Sequence, residues 1–151
     1  MARFRYSMQS ILDIKLKMET QAKQEFSAAR AALDEEEARL ARLYARKAEY
    51  EKEAARLRSG TLNFRDMEEN KTAILCMDNF IADQKVRVRK AEHVLEQARI
   101  KLAEVMMERK THETLKEKAF DEFLREENRR EGKEVDELTS YTYGQKHGVR
   151  A

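Results

Sequence analysis

The sequence predicts an all-α protein: two long helices in an antiparallel coiled-coil hairpin. Three observations lead there. Forty per cent of the 151 residues are charged and none is proline, whereas a globular domain carries about a quarter charged residues. Apolar residues recur in steps of three and four along most of the chain, the spacing that keeps one helix face apolar. The four glycines, Gly60, Gly132, Gly144 and Gly148, are too few for the turns of a sandwich, barrel or doubly wound sheet.

The first helix is expected over about residues 7–58. From Ala22 its stripe runs through Phe26, Ala29, Leu33, Glu36, Leu40, Leu43, Lys47, Tyr50, Ala54 and Leu57, and nine of these eleven are apolar. Upstream, Phe4, Met8, Ile11, Lys15 and Met18 extend it, with two consecutive steps of four around Ala22 that read as a stutter. The stretch from Arg58 to Asp66 then breaks the pattern, with Gly60 suited to the left-handed position after a helix. A loop is expected at about 59–66.

The second helix is expected over about 67–138, with Asp66 accepting from the amide near Glu69 and Glu69 reaching back as in a capping box. Its seam runs Ile74, Met77, Ile81, Gln84, Val88, Ala91, Leu95, Ala98, Leu102 and Val105, then shifts register toward His112, Leu115 and Ala119. If Leu57 faces Met67, facing residue numbers add to about 124, and the two separately read seams obey that rule. Tyr50 meets Ile74, Leu43 meets Ile81, Leu33 meets Ala91 and Ala22 meets Leu102. Extrapolation sets Met8 near Lys116 and Phe4 near Phe120.

At 1.5 Å per residue the paired part is roughly 75 Å long, and the second helix outruns the first. The overhang, residues 121–138, holds eight acidic and four basic side chains and is expected to be helical only when supported. Gly132 is a point of interruption. Residues 139–151 are expected to form a flexible tail, and the whole chain a single coiled-coil domain.

The charges bound the chemistry. Thirty-one Lys and Arg nearly balance 29 Asp and Glu, for a net +2, which argues against a dedicated polyanion binder. The densest basic cluster, Lys85, Arg87, Arg89 and Lys90, spreads around the helix and lacks the order of a DNA-reading helix dimer. No nucleic-acid partner is expected. Neither G-x-x-x-x-G-K-[ST] nor G-x-G-x-x-G occurs, and His93, His112, His147 and Cys76 have no partners at metal-ligand spacing.

A two-stranded rod offers no water-excluding pocket for a general acid and base, so no catalytic, cofactor or metal site is expected. The lone Cys76 reads as a small seam-flanking residue, and it makes no internal disulfide. With no apolar signal-peptide core, the chain is expected in a reducing cytosol. Its longest apolar run, Ala73-Ile74-Leu75-Cys76-Met77, is far short of the ~20 residues of a spanning helix, so any membrane attachment is peripheral. Asp34-Glu35-Glu36-Glu37 reads as a solvated face on which Glu35 supports Arg39. Glu36 falls in the seam, opposite Val88, where a polar group specifies register at some cost in stability. Tyr44, Leu75, Phe80 and Val94 lie beside the seam, as near-seam packing or as a partner surface.

Phe4-x-Tyr6 leads into Met8-Gln9-Ser10-Ile11-Leu12-Asp13-Ile14-Lys15, followed by Glu37 to Tyr50, Glu108-Arg109-Lys110, Leu115-Lys116-Glu117-Lys118 and Asp136-Glu137. In this order the segments resemble FliJ, the small coiled-coil component of the bacterial flagellar type III export apparatus, over almost the whole chain. The hairpin pairing predicts a monomer, and the resemblance implies a non-enzymatic cytoplasmic hairpin, similar to the central stalk of rotary ATPases. It would enter and promote assembly of the export ATPase hexamer, contact the cytoplasmic region of the export-gate membrane protein at the inner face of the membrane, and help recycle export chaperones. By motif, the gate-binding positions fall on Arg39, Leu43, Arg46, Tyr50, Ala73, Met77, Phe80 and Gln84, with Arg46 and Ala73 standing where the family pattern has aromatics. Arg3, Arg5, Lys15 and Lys17 mark the end that would enter the ATPase ring. A related stalk of a virulence-type secretion system and a generic coiled-coil spacer would share the periodicity.

Overall fold

The structure, a computed structural model, describes residues 2–148, with side chains as far as Gln145. It contains two helices, α1 (Gln9–Arg58) and α2 (Phe64–Gly148), and no strand among the described residues. They hold 50 and 85 residues and pair antiparallel as a coiled-coil hairpin.

The helix ends have local causes. The Gln9 amide donates to the Tyr6 carbonyl at 3.1 Å and that of Leu12 to Met8 at 3.1 Å, which opens α1. At the other end, the Ser59 amide and hydroxyl both donate to the Arg56 carbonyl, at 3.2 and 3.0 Å. Arg56 and Arg58 in the last turn complement the negative end of the helix dipole. Gly60 has φ +125°, which side chains with a Cβ rarely adopt.

The start of α2 corrects the expectation. Asn63, not Asp66, is the cap: its Oδ1 accepts from the amides of Arg65 at 3.1 Å and Asp66 at 3.3 Å. Asn caps as well as Asp, and the earlier start leaves Phe64 76% exposed.

The far end of α2 differs as well. The helix passes through Gly132 and Gly144 and continues past Leu138 to Gly148, so the expected flexible tail is helical as far as it is described. Residues 149–151 lie outside the described residues. Each glycine costs about 1 kcal/mol relative to alanine, but no proline stops the helix. Thr142 Oγ1 donates to the Leu138 carbonyl at 2.8 Å, and Gln145 Nε2 to the Tyr141 hydroxyl at 2.8 Å.

The chain divides into two compact units: residues 20–104, and residues 1–19 with 105–151. The first buries Ala22, Ala29 and Leu33 of α1 and Met77 and Ile81 of α2. Lys47 Nζ meets Asp78 at 2.7 Å and Lys101 Nζ meets Glu25 at 3.0 Å, pairs whose numbers add to 125 and 126. In the second unit Leu12 and Val105 are buried. There Lys15 meets Glu108 at 2.8 Å, and the Phe4 ring lies 5.1 Å from Phe120, edge to face. Those numbers add to 123 and 124, as extrapolated.

The seam is more regular than its apolar members imply. Along α1 an unbroken row of buried and half-buried residues runs Leu12, Lys15, Glu19, Ala22, Phe26 and on to Leu57 in strictly alternating threes and fours, with Glu25, Arg39 and Glu53 half-buried beside it. The expected stutter is absent: Met8, Ile11 and Met18 are exposed at 39, 38 and 38%. On α2 the same alternation runs from Met67 through Val105, Arg109, His112, Lys116 and Ala119 to Phe123. The expected register shift at Leu115 does not occur; Leu115 is 43% exposed beside the seam and Lys116 takes the seam position. Both errors come from following apolar side chains where charged ones hold seam positions through ion pairs and their own methylene stems.

This register makes a direct prediction. Leu12→Ala should destabilise the protein by about 2–3 kcal/mol, as for a buried leucine, while Met18→Ala should change stability by less than about 0.5 kcal/mol. Urea unfolding followed by helical ellipticity measures both. Equal losses would restore the apolar-only seam.

Candidate partner-binding surfaces

In residues 20–104, labelling seam positions a and d and the flanking positions e and g puts the eight candidate gate contacts into a pattern. Leu43, Tyr50, Met77 and Gln84 are d; Arg39, Arg46, Ala73 and Phe80 are g. In an antiparallel pair the g positions of both helices border the same edge of the seam, and the d residues lie against that edge. Glu25 and Lys101, both g, form their ion pair there. The structure therefore gathers all eight on one edge.

They are not equally available. Phe80 is 53% exposed and Arg46 is exposed, while Leu43, Tyr50 and Ala73 are half-buried. Arg39 is half-buried, with its guanidinium on Glu35 at 2.8 Å and Glu36 at 3.3 Å. Met77 and Gln84 are buried at 7 and 6% exposure. The Gln84 amide donates to the Glu36 backbone carbonyl at 3.0 Å and to the Glu36 carboxylate, so Glu36 meets Gln84 rather than only Val88. Asn70 repeats the device, its Nδ2 donating to the Tyr50 carbonyl at 3.0 Å. Met77 and Gln84 thus shape the edge from inside.

Other surface features escaped the sequence reading. A cleft of about 430 Å³ beside the loop is lined by Leu57, Phe64, Met67, Ile74 and Leu75, among others. The Asn63 cap was the signal for it, since capping there turns Phe64 outward. On the e edge, Lys85 Nζ lies 5.7 Å from the Tyr44 ring centroid, within cation–π reach, and Lys47 is held by Asp78. Those contacts give Tyr44, Lys85, Lys47 and Asp78 partners within the chain. Cys76 is exposed.

In the unit made of residues 1–19 and 105–151, Arg3 and Arg5 are exposed in the segment before α1, and Lys17 is exposed on the helix. Lys15 differs, being half-buried and bonded to Glu108. One turn on, Arg109 donates to the buried Glu19 at 2.6 Å and to Glu113 at 2.7 Å. These contacts have electrostatic consequences. The Lys15 ammonium, through its hydrogen bond and charge, holds the Glu108 carboxyl below the usual range, and Glu19 and Glu113 push Arg109 further up. The Tyr6 hydroxyl and His112 Nδ1 are buried with no hydrogen-bond partner among the described residues. Beyond Phe123, Leu124, Val135, Leu138, Tyr141 and Tyr143 are all exposed.

Among the described residues no three His, Cys, Asp or Glu gather to hold a metal ion, and no helix is long and apolar enough to cross a membrane. Two long helices paired antiparallel define a coiled-coil hairpin protein. The chain matches the model of the flagellar FliJ protein family over residues 4–148 and belongs to that family, a group of non-enzymatic structural adaptors associated with type III export. Its fold is also similar to that of a YscO homolog, CT670 from Chlamydia trachomatis, with 23% identity, a TM-score of 0.71, and coverage of 99% of this chain and 100% of that one. No curated protein matches by sequence.

Acid should weaken the Lys15–Glu108 pair, the one of the three depressed carboxylates that ties the two helices together. Because Glu108 is depressed in the folded chain, its contribution is fully present above the ordinary glutamate value of ~4.3 and is lost as pH falls through the lower folded value. Glu108→Gln should therefore weaken the protein at pH 7 and flatten its loss of stability below about pH 4. Urea midpoints of both proteins between neutral pH and pH 3 check this. Parallel pH curves would remove Glu108 from the acid response.

Proposed function

We propose that this protein is a monomeric stalk and adaptor of flagellar type III export, cytoplasmic and peripherally associated with the inner face of the membrane. It promotes assembly of the export ATPase hexamer, couples that ring to the cytoplasmic region of the export gate, and assists export chaperones. The observation that carries the reading is the convergence of the eight motif-placed positions on one edge, with Phe80 exposed at its centre, in a chain of the FliJ family.

The two activities fall on different units. Residues 20–104 offer the gate a shallow edge: Phe80 and Arg46 make contact, Leu43 and Tyr50 support them, and Met77 and Gln84 fix the helix spacing. The unit holding both termini offers the ATPase ring exposed Arg3, Arg5 and Lys17, together with the acidic surface of α2. Lys15 serves that end indirectly, by tying α1 to Glu108. Mixed charge suits a contact that must form and release, since charge complementarity steers association without needing a deep apolar anchor. A stalk of a virulence-type secretion machine would share the fold, but the match to the flagellar family model favours the flagellar reading.

Copurification with the export ATPase and with the gate's cytoplasmic region tests the proposal. Phe80→Ala should weaken gate binding by about tenfold or more, as for an exposed aromatic anchor, and leave thermal stability within about 0.5 kcal/mol. Leu43→Ala should weaken both gate binding and folding. Neither substitution should affect ATPase association. Unchanged gate binding by a folded Phe80→Ala chain would displace the docking edge. Sedimentation equilibrium should return the monomer mass, 17.8 kDa, at every concentration.

A further inference from the structure

Around the candidate gate contacts this edge holds Arg39, Arg46 and Arg87, and none of the three forms an ion pair across the seam among the described residues. Opposed g positions have numbers that add to 126, and at Glu25 and Lys101 the opposition is an ion pair of 3.0 Å. The same rule sets Arg46 against Phe80 and Arg39 against Arg87. Arg39 turns back to Glu35 and Glu36 on its own helix, whereas Arg46 and Arg87 are exposed. Neither makes an ion pair among the described residues.

Two arginines at opposed flanking positions work against the hairpin. Flanking positions of a coiled coil attract when their charges are opposite, and like charges there destabilise. An acid at residue 87 would suit Arg39 better than an arginine does. Beside this repulsive pair, one heptad along α2, Phe80 holds a large apolar surface in water. Arginine and an exposed aromatic are the residue types that most often anchor a partner, and the guanidinium fork fits a carboxylate through two parallel hydrogen bonds.

We infer that Arg46 and Arg87 form a carboxylate clamp around Phe80, so that the protein docking on this edge does so through an acidic surface that lays an apolar group on Phe80. The inference rests on the reading that the export gate docks here, and it names the chemistry of the gate's contact. Glu49 and Asp83, exposed on the outer side of the same edge, leave room for isolated carboxylates but oppose a continuous run of phosphates. That selects an acidic protein over a nucleic acid or a lipid surface.

The decisive variant is Arg87→Glu, which places a glutamate opposite Arg39. Its melting temperature should equal or exceed that of the unaltered chain, while its affinity for the gate's cytoplasmic region falls by about tenfold and depends less on salt. Arg46→Glu should lose affinity similarly, and Lys52→Glu, an exposed charge reversal on the outer face, should not. If Arg87→Glu binds the gate region as the unaltered chain does while Phe80→Ala does not, the clamp is refuted and the docking edge stands. If the unaltered chain ignores the gate region, the docking reading falls and takes the clamp with it. Capture by vesicles rich in phosphatidylglycerol that Arg87→Glu abolishes would assign the arginines to lipid and overturn the inference.

Discussion

The two helices can pair in only one useful register, in which facing residue numbers add to about 124, and every surface discussed above depends on it. A helix with four charged residues in ten gains little from its own backbone, since helical stability in proteins comes mainly from packing an apolar face. That packing is thin here. Among the described residues none is less than 2% exposed, and the seam has several alanine layers. Stability is spread over many half-buried contacts, each too small to specify alignment alone. Polar seam residues supply that specificity. Gln84 reaches the Glu36 carbonyl and Asn70 the Tyr50 carbonyl, both at 3.0 Å, and a slip by one layer would strand both amides without their acceptors, at about 1–3 kcal/mol for each buried unsatisfied group.

The same polarity decides how much of the fold could be read in advance. In residues 20–104 most seam positions are apolar, and their spacing alone located both helices, their antiparallel pairing and the Phe26, Leu33, Met77 and Ile81 layers. In the unit holding the termini the seam is carried by Lys15, Glu19, Arg109, His112 and Lys116, so a search for apolar steps drifted onto Ile11, Met18 and Leu115. The alignment survived because Phe4 and Phe120 still obeyed the rule. What failed was the assignment of individual side chains, since a buried Glu19 is legible only once Arg109, 90 positions away, is known to be its partner. The loop shows the same limit: Asp66 and Asn63 are both competent caps, and only the backbone path chooses between them.

For the candidate gate surface, the register turns a collection of motif positions into a geometric object with two kinds of member. Residues at d set how closely the helices approach, and residues at g meet what arrives. Replacing a d residue disturbs folding and docking together, so loss of binding in such a variant says little about contact. Replacing a g residue separates the two effects. Sequence comparison alone could not draw that line, because both kinds recur at the same heptad interval.

The two edges of this unit are unlike in a way that bears on function. Along the e edge, Lys85 lies over Tyr44 and Lys47 holds Asp78, so its aromatic ring and one of its carboxylates have partners within the chain. Along the g edge, the Glu25–Lys101 pair is followed by Ala32 opposed to Val94, then by Arg39 opposed to Arg87 and by Arg46 beside a bare Phe80. A free-standing spacer gains nothing from an edge of that kind, and a single change to glutamate would relieve the repulsion. An adaptor whose working contact lies on that edge gains from it directly: the charges left unpaired inside the hairpin are available to the partner, and the small cost in stability is offset when it binds.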